Sequence, residues 1–274
     1  MMPVPGRRGP TPEQVRRRRR TAAVLVGLAA IAVVVAVIVA LPHVRGGSAA
    51  PATTSTEAVE QFRIVFPEGF TRAQMAKRVE DVAKIAERKS GKPVRLNKKA
   101  YLAASRTLVV PCVSPHRQKH SEGFLFPATY DFIATTTSRQ LVADQVQAFC
   151  ENWSTVDLSY AKSKNLTPYD VLNIAAMIER ETLAPDERRL VSAVIYNRLH
   201  AHMQLGIDAT LRYGLNIPPT KSILESQLAS NNPFNTRKWF GLPPTPIANP
   251  GLASIQAAAH PAKVDYLYFV RKPD

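Results

Sequence analysis

The sequence predicts an α+β fold behind a single N-terminal membrane helix. One early apolar run is long enough to span a bilayer, and several later segments carry apolar residues at helical spacing. Two short runs rich in β-branched and aromatic residues read as strands. The 274 residues, 45% of them hydrophobic, suit one or two domains. We therefore expect a mainly helical domain with short strands outside the membrane.

The predicted membrane helix covers residues 21–41, which read TAAVLVGLAAIAVVVAVIVAL and carry no charge. A spanning helix needs roughly 20 such residues, whereas signal-peptide cores have about 7–15. A retained anchor is therefore favoured over a cleaved leader or a buried hairpin. The arginines of the basic tail at 1–20 place that tail in the cytoplasm. We expect a single-pass protein of the cell membrane, with the remainder of the chain outside the cytoplasm.

Residues 42–60 are rich in Pro, Ala, Ser and Thr, and this composition is typical of a flexible linker. The following residues, 61–110, predict a small α/β subdomain. Its elements are a strand at Phe62–Phe66, a helix from the capping residue Thr71 to about Arg88, and a short helix over Leu96–Ser105.

The net charge of +15 is unevenly distributed along the chain. Residues 61–110 hold 12 Lys and Arg against 4 Asp and Glu, whereas residues 111–274 hold 16 against 14. Cytoplasmic nucleic acid would be out of reach of this part of the chain, so we expect no nucleic-acid partner. The basic segment either meets lipid headgroups or an anionic wall polymer, or is a solvated face without a partner.

Residues 111–274 predict a mainly helical domain. The run Gly123–Phe132 is aromatic and turn-like, and Asn231–Gly251 is rich in proline and therefore irregular. The other predicted elements are helices at Ser138–Trp153, Tyr169–Leu183 (started by Thr167-Pro168), Pro185–His200 and Ser254–Ala259, and a terminal strand at Tyr266–Val270.

The chain has two cysteines, Cys112 and Cys150. Outside the cytoplasm a disulfide between them is permitted, and two small buried thiols are the alternative. Neither cysteine belongs to a recognisable catalytic motif.

Two carboxylates, Glu179 and Glu181, stand at the edge of the apolar stripe of the helix Tyr169–Leu183. At about 100° per residue the buried face includes Ile174, while Asn173 and Arg180 point away from it. Partial desolvation there would raise a carboxyl pKa and suit it to general acid catalysis. The spacing alone does not choose between the two, and pairing of both with nearby arginines at a solvated helix end is the alternative.

Several unusual strings extend these observations. The segment AAMIERET is followed in order by ERRLVSAVIYNRL, LGIDATLRYG, NPFNTRKWFGLPPTPIANPG, AAAHPAK and YLYFV, with GFLFPATYDF upstream. Through roughly residues 121–270 the chain resembles the MltG/YceG family of endolytic murein transglycosylases. The resemblance implies that residues 111–274 form a YceG-like catalytic domain.

The resemblance implies cleavage of the β-1,4 bond between N-acetylmuramic acid and N-acetylglucosamine in nascent peptidoglycan, which would end elongation of the strand. Glu181, before Thr182, matches the family's catalytic glutamate, so Glu179 and Thr182 become supporting residues. Glu181 would protonate the leaving oxygen and then deprotonate the muramyl 6-hydroxyl, which leaves a 1,6-anhydro end. A lysozyme-like hydrolase of the same bond and a non-catalytic scaffold that binds glycan or synthases are the alternatives.

Weaker matches are candidate glycan-binding residues, with loop stabilisation as their alternative role: Asp208, Thr210, Tyr213, Asn235 and Thr236. We expect no cofactor and no metal, and the implied partners are glycan strands, the membrane and peptidoglycan synthases. Three departures from the family pattern stand out: no LysM-like unit is recognisable, Thr245 replaces a glycine, and the chain ends earlier than expected, as a C-terminally truncated domain would.

Overall fold

Three threonines set where the long helices begin. A computed structural model of the chain describes residues 59–118, 120–182 and 184–269. Each of Thr71, Thr137 and Thr167 accepts a hydrogen bond from the backbone N–H three residues later, and the side chain at that later position bonds back to the threonine N–H. This reciprocal capping satisfies backbone donors that a helix start would otherwise leave unpaired. The predicted helix starts at Thr71 and at Thr167-Pro168 are confirmed.

The described residues form two small antiparallel sheets and a set of helices. The strands are β1 (Gln61–Val65), β2 (Leu108–Val110), β3 (Ser114–Gln118) and β4 (Thr129–Ile133). The helices are α1 (Arg72–Ser90), α2 (Lys98–Ala104), α3 (Ser138–Trp153), α4 (Ser159–Ser163), α5 (Pro168–Glu181), α6 (Arg188–His200), α7 (Asp208–Gly214), α8 (Glu225–Leu228) and α9 (Leu252–Ala259), with a 3-10 turn at Pro185–Glu187 before α6. The α+β prediction is therefore confirmed for this part of the chain.

Strand pairing joins segments that are distant in sequence. β1 pairs with β4 so that Phe62 lies opposite Phe132, and β2 pairs with β3 in a separate hairpin. The sequence analysis described 123–132 as turn-like and did not predict β2, β3 or β4. Because β1 and β4 come from either side of position 110, the segments 61–110 and 111–274 share a sheet. The boundary between them stays a prediction.

The predicted terminal strand is wrong for residues 266–269, which form no strand. Side chains of α6 occupy the backbone carbonyls there: Asn197 donates to Tyr266 O at 2.9 Å, and Arg198 donates to Leu267 O at 2.6 Å. Residues 266–269 of the run YLYFV thus have no partner strand, and side chains of a helix bond to two of their carbonyls instead. Val270 lies outside the described residues.

A disulfide joins Cys112, in the turn between β2 and β3, to Cys150 on α3. Of the two possibilities left open by the sequence, the structure has the bridge. The predicted membrane helix, the basic tail and most of the linker lie outside the described residues. Within the described residues, no helix is long and apolar enough to span a bilayer.

Helix α5 lies at the centre of the core, where residues 171–178 are all buried, and it packs against α6 and α9. The small residues of α9, among them Ala257, Ala258 and Ala259, let the two helices approach closely. Asn173, expected to point away from the core, is only 2% exposed. Its side-chain amide donates to Pro243 O at 2.6 Å, because the proline-rich loop 241–251 covers that side of the helix.

Candidate active site

Glu181 is the last residue of α5 and is half-buried. The backbone N–H of Ala209, in the first turn of α7, donates to its Oε1 at 3.4 Å, which is long for a hydrogen bond. Thr182 ends the helix: it leaves the helical conformation, and its hydroxyl donates to Ile178 O at 2.8 Å. The end of α5 and the start of α7 thus meet at the Glu181 carboxylate.

Glu179 lies two residues before Glu181 on α5 and contacts a different element. Its Oε2 accepts from the backbone N–H of Gly251 at 3.0 Å, at the N-cap of α9. A Cβ on Gly251 would overlap the carboxylate of Glu68, so that side chain would have to move aside. Burial, and then the charge of Glu179, raise the pKa of Glu68, while Arg188 opposes them. Glu179 therefore ties α5 to the start of α9.

Asp208 opens α7 and forms an ion pair with Arg237. Its Oδ1 accepts two hydrogen bonds from the guanidinium, at 2.8 Å from Nε and 2.6 Å from an Nη. The pair links the loop at residue 237 to the start of α7, and both side chains are about half exposed. Ala209, whose N–H contacts Glu181, directly follows Asp208.

Thr210, Asn235 and Thr236 are buried, and each bonds to the backbone of a nearby loop. Thr210 donates to Ile207 O at 2.7 Å, and Thr236 accepts from Ile207 N at 3.0 Å. Asn235 donates to Leu228 O, at the end of α8, at 2.9 Å and to Ser230 O at 2.8 Å. The bonds of the two threonines fix the start of α7, and those of Asn235 fix the loop after α8. A direct contact of the three side chains with glycan stays a prediction.

Tyr213 leads to an acid that the sequence analysis did not single out. Its hydroxyl donates to Oε2 of Glu122 at 3.1 Å. The other oxygen of Glu122 accepts from the backbone N–H of Arg72 and from the amide of Asn249, both at 2.8 Å. Burial raises the pKa of Glu122 to about 7, and the three hydrogen bonds oppose that rise. Burial also raises the pKa of Tyr213.

Asn249 organises the loops around that acid. Its Oδ1 accepts from the backbone N–H groups of Gly123 and Leu125, both at 2.9 Å. Gly123 has a positive φ of 94°, and a Cβ there would lie 2.9 Å from the ring of Pro246. Only glycine permits both the backbone conformation and the close approach.

A cavity of about 700 Å³ adjoins the end of α5. Arg180, which precedes Glu181, and Ala209, which donates to it, both lie in the wall, as do Glu122 and Tyr213. Glu181 itself does not line this cavity, but its chain neighbour Arg180 and its hydrogen-bond partner Ala209 do. They place the Glu181 carboxylate next to a concave surface of the size that ligand sites have. Among the described residues, no group of His, Cys, Asp and Glu side chains could hold a metal ion.

A known protein family matches this chain over most of its length. The sequence model of the YceG-like family matches residues 45–274. The chain belongs to the YceG-like family. The resemblance expected from the motifs is therefore confirmed.

Relatives of this YceG-like chain carry names that bear on its chemistry. An endolytic murein transglycosylase from Bacillus subtilis (strain 168) is 37% identical over 155 residues, which are 55% of this chain and 42% of that protein. The protein of the same name from Streptococcus pneumoniae R6 is 36% identical over 54% of this chain and 28% of its own length. The match thus spans less than half the length of either relative.

The fold of the YceG-like chain also matches a solved structure. The crystal structure of a yceG-like protein from Listeria monocytogenes has a TM-score of 0.64 and 30% identity, over 77% of this chain and 69% of that one. The α+β architecture is therefore that of a YceG-like protein.

Sequence reasoning missed Glu122, Asn249 and the arginines of the cavity wall. Glu122 directly precedes the string GFLFPATYDF that carried part of the resemblance, and Asn249 lies inside another such string. An acid next to a glycine and aromatic run was thus an available signal. The hydrogen-bond partners of these side chains were not available from the sequence. Gly123 and Asn249, for example, bond to each other although they are more than 120 residues apart.

Proposed function

We propose that this protein is an endolytic peptidoglycan lytic transglycosylase and that Glu181 is its catalytic acid and base. The observation that carries the proposal is the half-buried Glu181 carboxylate at the end of α5, contacted by Ala209 N–H and beside the cavity of about 700 Å³. The names of the matched relatives support the same reaction.

The proposed reaction uses one carboxyl group twice. Glu181 gives its proton to the oxygen that links N-acetylmuramic acid to N-acetylglucosamine, and the bond between that oxygen and C1 breaks. The carboxylate then takes the proton of the muramyl 6-hydroxyl, and the oxygen of this hydroxyl bonds to C1. The proton returns to Glu181, no water is consumed, and the product is a 1,6-anhydro end.

A single acid suffices for this chemistry, whereas ordinary glycosidases need a second carboxylate across the scissile bond. If the protein were a hydrolase, Asp208 is the acid of the matched motifs that would supply the second carboxylate. Its Oδ1 is held by the Arg237 guanidinium through two hydrogen bonds, which suits a positioning role at the start of α7. This pairing favours the lytic reaction over the lysozyme-like alternative.

The reaction would take place at the outer face of the cell membrane. Residues 21–41 would anchor the chain in a single pass with the N-terminus in the cytoplasm, and the basic segment 61–110 would lie near anionic headgroups. Cleavage of nascent strands there would limit their length and would bring the protein close to peptidoglycan synthases. Fractionation of cells that express the chain with and without residues 21–41 tests the anchor.

The decisive experiment is Glu181→Gln, with Glu225→Gln on exposed α8 as the matched control. Loss of general acid and base catalysis predicts at least about a 100-fold lower rate of anhydro-product release for Glu181→Gln and no change for the control. Circular dichroism and thermal melting check that both variants are folded.

Mass spectrometry of the products separates the alternatives. The lytic product lacks one water relative to the hydrolytic product, so products with the added water would establish a hydrolase instead. Full activity of Glu181→Gln would refute the assignment of the catalytic residue. A wild-type protein that binds strands without cutting them would support the scaffold.

A further inference from the structure

The cavity beside Glu181 is strongly basic. Its wall contains four arginines and one histidine but a single carboxylate among the described residues. These side chains are Arg72, Arg106, Arg180, Arg212, His120 and Glu122.

The contacts of the arginines leave their charge in place. Arg212 donates to the carbonyls of Pro218 and Lys221, at 3.1 and 2.8 Å. Arg180 donates to Gly69 O at 3.3 Å. Carbonyl oxygens hold a guanidinium in position but do not neutralise it, so both of these side chains keep their positive charge at the cavity wall.

The one carboxylate does not compensate this charge. Glu122 is only 8% exposed, and its oxygens are occupied by a backbone N–H, the Asn249 amide and the Tyr213 hydroxyl. Burial raises its pKa to about 7, so close to neutral pH it is only partly ionised. With four arginines in the wall against Glu122 there and Glu181 beside it, the cavity has a net positive charge that an anionic ligand group would balance.

The proposed substrate, on which this inference rests, identifies the anion. Hydroxyl and acetamido groups of the glycan are neutral, whereas the peptide stem on each muramic acid ends in free carboxylates. Arginine pairs with a carboxylate through two parallel hydrogen bonds, and a cavity of about 700 Å³ accommodates a short peptide. Arg180 also places the charged wall next to the catalytic residue in sequence.

We propose that this basic cavity binds the carboxylates of the peptide stem on a muramic acid residue near the scissile bond. The enzyme would thus select peptide-bearing strands over strands stripped of their peptides. Discrimination would come from the affinity for the stem, while Glu181 performs the same chemistry on both substrates.

The experiment uses the full chain and two lipid-free substrates, peptide-bearing strands and the same strands after amidase treatment. The key variant is Arg106→Gln, an exposed arginine of the wall, and the matched control is Arg139→Gln, an exposed arginine on α3 away from the cavity. Arg106→Gln should raise KM about 10-fold for peptide-bearing strands, because a charge-assisted hydrogen bond is lost, and leave stripped strands unchanged. Added salt should narrow the wild-type preference, since it screens exposed charges.

Two results would overturn the proposal: equal cleavage of both substrates by the wild type, or an equal loss on both substrates in Arg106→Gln. A third substrate, a stripped strand still linked to a lipid pyrophosphate, tests whether the cavity binds the pyrophosphate instead of the peptide carboxylates. If the Arg106 dependence follows the pyrophosphate and not the peptide, the stem assignment is wrong.

Failure of this proposal remains distinguishable from failure of the proposed function. Binding of a soluble peptide-bearing muropeptide to Glu181→Gln, measured by calorimetry, does not depend on catalysis. Binding that weakens about 10-fold in the double variant Glu181→Gln with Arg106→Gln supports the stem site even if no strand is cut. Absence of binding to Glu181→Gln while the wild type cuts strands overturns the stem site and leaves the enzyme assignment intact.

Discussion

The core around α5 and the wall that covers it differ in how far they depend on buried hydrogen bonds. In the core, Ile174, Met177 and Ile178 are fully buried against apolar neighbours. In the wall, formed by residues 121–125, 205–219 and 231–251, buried amides and hydroxyls bind backbone groups, as Asn249 and Thr236 do. The core is maintained by apolar burial. The wall also buries apolar side chains, among them Phe124 and Ile247, but depends in addition on hydrogen bonds whose partners must all be present.

This difference explains where the site residues lie. Glu181 stands where the apolar stripe of α5 ends and the polar wall begins, so one side of the helix is fixed by packing and the other contacts Ala209 N–H. A rigid helix thereby presents the acid, while loops shape the cavity beside it. Loss of wall contacts should therefore distort the cavity and also lower the stability of the fold.

The largest effect on stability is expected for Asn249→Ala, which removes the central amide of the wall. The N–H groups of Gly123 and Leu125 would lose their acceptor, and each buried group left unpaired costs about 1–3 kcal/mol. With the bond to Phe70 O also lost, we expect the free energy of unfolding to fall by about 5 kcal/mol in urea titrations.

The matched control is Asn231→Ala, an exposed asparagine of the same loop region, which should change stability by less than about 0.5 kcal/mol. A similar small change for Asn249→Ala would show that the wall does not depend on its buried amide. The comparison of the two regions would then be wrong.

The disulfide predicts the next largest effect. Cys112 and Cys150 are 38 residues apart, and closing such a loop stabilises a fold by about 4 kcal/mol in the chain-entropy relation. The double variant Cys112→Ser with Cys150→Ser should therefore unfold at lower urea concentration than the oxidised protein. Dithiothreitol should lower the wild type to the same midpoint and leave the variant unchanged, whereas equal midpoints under oxidising conditions would contradict the prediction.

The smallest effect comes from Glu122→Gln and depends on pH. The folded pKa of Glu122 is raised from 4.5 to about 7, so its protonated form is favoured by folding. Its contribution to stability is complete below about pH 4.5 and is lost as pH rises through about 7. Glutamine stays neutral, so the variant should gain about 3 kcal/mol relative to the wild type across that interval.

Urea titrations at several pH values measure this gain. Asn231→Ala, which introduces no titratable group, should give a curve parallel to that of the wild type. Parallel curves for Glu122→Gln as well would mean that the wall tolerates an ionised carboxylate at no cost.

Local patterns predicted much of the fold. Local signals, which include a capping threonine for α1 and for α5, located α1, α3 and α5 to within a few residues, because such signals act between residues that are neighbours along the chain. The same patterns failed for β4 and for the expected strand at 266–270. A strand exists only if a partner strand reaches it, and residues 266–269 meet the side chains of α6 instead.

The sequence by itself determined the family, the helix that carries Glu181 and the apolar face on which that helix rests. Only the tertiary structure decided that Glu122 lies against Tyr213, that Asp208 is held by Arg237, that the two cysteines are joined and that arginines from separate segments share one cavity. Helical periodicity and capping depend on residues that are only a few positions apart in the chain. Hydrogen bonds and charge clusters between distant segments depend on how the whole core packs, so the spacing within any one segment does not predict them.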